Sequence, residues 1–335
     1  MIDRRSALIG SLAAAAGAGF AGRAGAQTAP PHIEGGDVPA WPQPTETIDL
    51  WPDGAPGAPA TPFEERVTER SEDGEVNDRA VDHVAVPRMA VFKPWRPNGA
   101  SMLIMPGGGY IRVVIDREGY EMAQWLAERG FTCFVLFYRL PGEGWAAGPD
   151  VSLSDAQRAM RLIRHRAVDY AVDPARVSAM GFSAGGHLCA DLATRFDART
   201  YDAVDDADKL SARPQVAAPI YPVMTMKRPY AHEGSRTALI GADAGATLET
   251  AHSPDRNVKD NTPPCFLCHA EDDPAVPVEN TLLFRAALKA KGVPVETHLF
   301  EHGGHGFAMR RVIGKPAGRW PELFLNWART HEVLI

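Results

Sequence analysis

Met180-Gly181-Phe182-Ser183-Ala184-Gly185-Gly186-His187 is a G-x-S-x-G stretch with a second glycine behind it. Arg176-Val177-Ser178-Ala179-Met180 before it is short and strand-like. Leu188, Cys189, Leu192 and Ala193 after it recur at helical spacing. Strand, tight turn and helix in this order form a nucleophile elbow. The backbone doubles back, so side chains at 181 and 185 would clash. The serine hydroxyl is then exposed at the turn, facing the N–H groups that open the helix.

Working outward, apolar runs alternate with amphipathic ones. Strands are expected over 89–92, 101–105, 131–138, 176–180, 215–221, 266–270 and 295–300. Helices are expected over 119–129, 153–170, 279–291 and 320–330. In the second of these, Ala156, Ala159, Met160, Ile163 and Ala167 form the inner face, with Arg158, Arg161 and Arg164 outside or at the rim. The run 131–138 is almost continuously apolar, as expected of a strand covered on both faces. The pattern predicts a doubly wound α/β fold with a mainly parallel sheet and helices on both faces. Functional loops then sit at the carboxyl ends of the strands. Residues 223–262 are expected to be irregular, a small insertion that shapes a cleft.

The chain has 335 residues, 45% hydrophobic and 23% charged, and a net charge of −7. That balance, without a Lys/Arg cluster, argues against nucleic acid as a partner. No apolar run long enough for a membrane span occurs beyond the N-terminus. There, Arg4-Arg5 precedes a weakly apolar Ala/Gly-rich run, and Ala24-Gly25-Ala26 offers small residues for cleavage. We expect an export signal of twin-arginine type over 1–26, a linker or arm over 27–45, and a single catalytic domain over 46–335. The expected location is therefore periplasmic or secreted, in a bacterium. The four cysteines do not make a disulfide scaffold. Cys265 and Cys268, three apart in a strand, point to opposite faces and read as core rather than as metal or redox ligands. No phosphate loop, dinucleotide glycine pattern or H-E-x-x-H occurs, and no metal or organic cofactor is expected.

Four features that follow strand ends carry chemistry. Gly107-Gly108-Gly109 allows close backbone approach to a ligand. Gly108, Gly109 and Ala184 are expected to supply oxyanion-hole N–H groups. Ser183 is the expected nucleophile and needs a base beside it. Glu271-Asp272-Asp273 offers the acid; Asp273 is expected to orient the base, with Asp272 the alternative. Glu301-His302-Gly303-Gly304-His305-Gly306-Phe307 offers the base, expected at His305 between glycines, with His302 a local hydrogen-bonder. The order Ser, Asp, His is the order this kind of elbow uses. Tyr110 and Trp145 are candidates for stacking on a substrate, against ordinary packing as the alternative. Glu118 carries no assigned role.

These motifs resemble the α/β-hydrolase superfamily of esterases and lipases, and are similar to exported bacterial carbohydrate esterases of the acetylxylan-esterase-like group. The likeness rests on Leu50-Trp51-Pro52, Pro106-Gly107-Gly108-Gly109-Tyr110, Glu118-Gly119, Tyr138-Arg139-Leu140 and Asp155-Ala156-Gln157-Arg158-Ala159. It extends through the elbow, Ile220-Tyr221-Pro222-Val223, Thr262-Pro263-Pro264 and Gly303-Gly304-His305-Gly306-Phe307. It implies a serine esterase with Ser183, Asp273 and His305 as its triad, and oxyanion donors at Gly108, Gly109 and Ala184. The implied substrate is a short acyl ester, acetyl foremost, on a polysaccharide or oligosaccharide such as acetylated xylan. Feruloyl or small non-sugar esters are the alternative, and a peptidase or a non-catalytic carbohydrate-binding relative are further ones. Pro106 departs from relatives of the hormone-sensitive-lipase type, which carry histidine before the glycines.

Overall fold

The computed structural model describes residues 43–334, except 72, 73 and 75. The expected export signal and nearly all of the expected arm lie outside the described residues. In chain order the strands are β1 (Glu46–Asp49), β2 (Arg66–Thr68), β3 (Ala80–Asp82), β4 (Arg88–Phe92), β5 (Gly99–Met105) and β6 (Val113–Val114). Then come α1 (Glu121–Ala127), β7 (Thr132–Phe137), α2 (Val151–His165), β8 (Val172–Phe182), α3 (Ala184–Arg195) and β9 (Ala217–Ile220). Three short helices follow, α4 (Glu233–Ile240), α5 (Ala246–Ala251) and α6 (Pro254–Asn257). The last elements are β10 (Cys265–Ala270), α7 (Glu279–Ala290), β11 (Val295–Phe300) and α8 (Trp320–Thr330).

The main sheet runs β1-β4-β7-β5-β8-β9-β10-β11. From β7 to β11 every pairing is parallel, and β1 and β4 add an antiparallel edge. Every residue of β7 and of β10 is buried. Alternate strand residues face opposite ways, so both faces of the sheet are covered there. Helices α1, α2, α3, α7 and α8 pack on it. All four cysteines are buried and free, and Cys265 and Cys268 lie inside β10 as core residues. A small sheet of β2, β3 and β6 lies apart. Among the described residues, no helix is long and apolar enough to cross a membrane.

Three expectations change. The helix expected over 153–170 ends at His165 and continues as a 3₁₀ turn, Ala167–Tyr170, closed by Ala171 in the left-handed region at φ 51°. Arg158, expected at the rim of that helix, is buried. It pairs with Asp205 at 2.5 Å and Asp208 at 3.0 Å, and Nε donates to Leu50 O at 2.9 Å. Ion pairing and carbonyl acceptance let a guanidinium go inside. The stretch 223–262 is not irregular: it carries α4, α5 and α6. The buried guanidinium of Arg236 organises it, reaching Met226 O, Gly241 O, Ala242 O, Ala244 O and Glu249.

A buried ion pair gathers several of the sequence motifs. Arg139, just past β7, meets Asp155 of α2 at 2.7 Å with both side chains enclosed. Trp51 Nε1 donates to the same carboxylate at 2.8 Å, and Arg139 Nη1 donates to Pro56 O at 2.7 Å.

Candidate active site

The elbow forms where β8 passes into α3. Ser183 sits at φ 54°, ψ −117°, strained for any residue with a Cβ. A Cβ on Gly185 would lie 2.1 Å from Met105 O and 2.4 Å from Pro106 O, so only glycine lets the helix start against β5. Ser183 is 7% exposed. Its Oγ is 2.8 Å from His305 Nε2.

His305 comes from the loop after β11. Its Nδ1 is 2.7 Å from Asp273 Oδ2. Facing a carboxylate, Nδ1 carries the proton and donates; Nε2 is left with its lone pair toward the Ser183 hydroxyl. That tautomer suits a base acting on serine.

Asp273 follows β10, and its side chain is fully enclosed. Oδ1 accepts from the N–H groups of Ala275 and Val276, both at 2.9 Å. Oδ2 accepts from His305 and, at 3.1 Å, from His269 Nε2. Burial alone pushes this carboxyl up. Hydrogen bonds from His269 and His305, the charge on His305 and the Val276 N–H outweigh it and hold Asp273 well below the usual carboxylate range. Asp272, the alternative acid, points elsewhere. It accepts from Gly303 N–H at 2.8 Å and Gly304 N–H at 2.7 Å, and lies 3.3 Å from His302 Nδ1. It therefore shapes the loop that carries His305, and His302 contacts Asp272 and its neighbour Glu301.

Gly108 and Gly109 lie in the loop between β5 and β6. Gly108 has φ 133°, and a Cβ there would lie 2.2 Å from Arg112 O. Among the described residues, the N–H groups of Gly108 and Gly109 donate no hydrogen bond. Ala184 opens α3, where first-turn N–H groups have no partner within the helix. Three unspent donors thus belong to the elbow and the loop beside it. Part of the insertion borders that loop: Ser235 Oγ of α4 lies 4.0 Å from where a Gly109 Cβ would be.

The stacking role expected for Tyr110 and Trp145 does not fit their burial. Tyr110 is 1% exposed and its hydroxyl is 2.7 Å from His187 Nδ1. Trp145 is 5% exposed, edge-on to Phe63 at 5.7 Å with the Arg139 guanidinium 4.9 Å from its ring centre. Neither ring has a face free for a sugar. Sequence reasoning also missed His269, which lies within the buried strand β10. Nε2 faces Asp273 and Val276 O and therefore donates, while Nδ1 accepts from Thr281 Oγ1 at 2.7 Å. The only sequence signal for it was a histidine four residues before the acid.

The BD-FAE family model matches residues 95–288, more than half of the chain. The chain belongs to the BD-FAE family of α/β-hydrolase esterases. Ser183 and Asp273 fall inside the BD-FAE match and His305 beyond it. The chain is 39% identical over 208 residues to endo-1,4-beta-xylanase B of Butyrivibrio fibrisolvens, covering 62% of this chain and 32% of that protein. It is 30% identical over 252 residues to an acetylxylan esterase of Xylanibacter ruminicola, covering 74% of this chain and 46% of that one. It thus spans about a third and about half of these two relatives. Among solved structures, an acetyl ester-xyloside bifunctional hydrolase from Caldicellulosiruptor lactoaceticus is similar at TM-score 0.72 and 32% identity, covering 88% of this chain and 98% of that one.

Proposed function

We propose that this BD-FAE member is a serine carboxylesterase that removes short acyl groups, acetyl foremost, from xylan or its oligosaccharides. The observation that carries it is the hydrogen-bonded line from Ser183 Oγ through His305 to Asp273, with unspent N–H donors beside it. Ser183 Oγ attacks the ester carbonyl while His305 Nε2 takes its proton. The carbonyl oxygen becomes an oxyanion, held by the N–H groups of Gly108, Gly109 and Ala184; each such donor is worth about 3–4 kcal/mol in the transition state. Collapse expels the sugar alcohol, which receives the proton from His305. Water then attacks the acyl-serine, losing its proton to His305; collapse breaks the bond to Ser183 Oγ, which takes that proton back from His305 as the acid leaves. Asp273 stays ionised throughout and stabilises the histidine cation.

The acetyl-xylan assignment is supported by the named activities of the Xylanibacter and Caldicellulosiruptor relatives. The arginine pair Arg4-Arg5 and the small residues through Ala26 support export to the periplasm or beyond. The test is acid release from acetylated xylan beside p-nitrophenyl esters of two, four and eight carbons, with Ser183→Ala as the blank. Ser183-dependent acetate release from xylan is the expected result. Turnover of p-nitrophenyl acetate alone would keep the chemistry and remove the xylan assignment, leaving feruloyl and small esters. Equal rates for Ser183→Ala and the wild type would overturn the mechanism.

A further inference from the structure

Glu118 lies in a single π-helical turn, Asp116–Tyr120, directly before α1. Tyr120 N–H reaches back five residues to Ile115 O at 2.8 Å, and Glu121 N–H likewise to Asp116 O. Such turns are rare and concentrate at functional sites. Here the turn accompanies a carboxylate that is turned inside, 3% exposed. Glu118 Oε2 accepts from Gly107 N–H at 2.9 Å, and Oε1 accepts from the Tyr221 hydroxyl at 3.0 Å. The Tyr221 oxygen in turn accepts from Ala308 N–H at 3.1 Å.

Tyr221 is itself unusual. It follows β9 at φ 35°, a strained value for a bulky side chain. Its ring meets the His305 ring edge-on, with centroids 5.4 Å apart. One carboxylate is therefore joined to two loops. The first carries Gly108 and Gly109 and is gripped at the residue just before them. The second carries His305 and is gripped three residues after it, through Tyr221. Val114 N–H donates to Gly107 O at 2.9 Å, so both sides of that glycine are fixed. A buried carboxylate is costly unless its hydrogen bonds repay it, and packing alone would be served by an apolar residue.

The geometry points to Glu118 as a positioning residue that, through Tyr221, holds the oxyanion loop and the His305 loop in register. This rests on the esterase reading above. Glu118 hydrogen-bonds no member of the Ser183–His305–Asp273 line among the described residues, so it acts on placement. A loop of three glycines has little stiffness of its own, and a displacement of about 1 Å at such a site can cost about 100-fold in rate.

The experiment measures kcat and KM for p-nitrophenyl acetate in the wild type, Ser183→Ala, Glu118→Ala, Glu118→Gln, Tyr221→Phe and the Glu118→Ala/Tyr221→Phe double variant, with thermal unfolding of each. Glu118→Ala should lose about 100-fold in kcat with KM nearly unchanged, the signature of an interaction used only in the transition state. Glu118→Gln keeps the acceptor for Gly107 but turns a donor toward Tyr221, whose own O–H then loses its acceptor, so it should restore the rate in part. The double variant should be no slower than the worse single one, because the two residues act as a unit. A folded Glu118→Ala with wild-type kcat, or a loss carried by KM alone, would overturn the inference. Should Glu118→Ala fail to fold, a Tyr221→Phe variant with wild-type kcat does the same. Wild-type turnover that does not depend on Ser183 sinks the esterase reading and this inference together; Ser183-dependent turnover untouched by Glu118→Ala sinks only this one.

Discussion

His305 Nδ1 and His269 Nε2 both donate to one oxygen of Asp273, at 2.7 and 3.1 Å. Two imidazoles on one oxygen, with two backbone N–H groups on the other, fill the acceptor capacity of the carboxylate. Asp273 is thereby pinned in place and kept charged while enclosed.

Asp273→Asn should lower kcat for p-nitrophenyl acetate by about 10⁴-fold, because an amide facing Nδ1 favours the wrong histidine tautomer. The folded protein should survive at neutral pH. The same substitution tests the lowered pKa of Asp273. Since the folded state holds Asp273 below its ordinary value, the unfolded state takes up the proton first on acidification. The stabilising contribution is full above the ordinary aspartate value near pH 4 and falls as pH drops toward the depressed one. Denaturant unfolding of wild type and Asp273→Asn should therefore show a stability gap at pH 6 that narrows below about pH 4. A gap that widens in acid would contradict this assignment of charge.

The fold and the meeting of Ser183, His305 and Asp273 were legible because each residue follows a strand end with its own local signal: an elbow, glycines around a histidine, an acid after an apolar strand. Parallel topology does the rest, bringing strand ends together. What stayed hidden depends on distant partners. Tyr221 and Glu118 are 103 residues apart, and nothing beside either marks the other. Trp145 sits in a glycine-rich stretch that looks exposed, yet Phe63 arrives from far along the chain to cover it beside Arg139. Arg158 followed the helical period onto the rim, and Asp205 and Asp208 drew it inside.

Because Trp145 is covered, Trp145→Ala should act on stability. Removing a buried aromatic side chain costs about 3–5 kcal/mol. The midpoint of urea unfolding should fall accordingly, while KM for acetylated xylo-oligosaccharide in the folded protein stays near the wild-type value. A raised KM at unchanged stability would restore the stacking role.

The Arg139–Asp155 pair should be a comparable liability when halved. Arg139→Met leaves the enclosed Asp155 with Trp51 Nε1, Arg139's own main-chain N–H and no cation. Breaking such a pair from one side costs about 3–5 kcal/mol. The reading is the unfolding free energy at pH 7.

His187 provides a second pH test, in a higher window. It is enclosed on α3, where Nε2 faces His252 O at 2.8 Å and Nδ1 accepts from Tyr110. Burial, first of all, brings its pKa down to about 4; the His252 carbonyl opposes this and Arg195 adds to it. Its unfolded value is near 6.5. Between those values the unfolded chain binds a proton that the folded protein refuses, so stability falls as pH falls from about 6.5 to about 4. The slope from this one group is at most about 1.4 kcal/mol per pH unit. His187→Gln keeps a polar side chain on Tyr110 and cannot titrate. Its stability should be lower at pH 7 but flatter across the same window, and the two curves should converge near pH 4. Parallel curves would mean that His187 takes up its proton in the folded state, and that its enclosure by Tyr110 and the His252 carbonyl opens in acid.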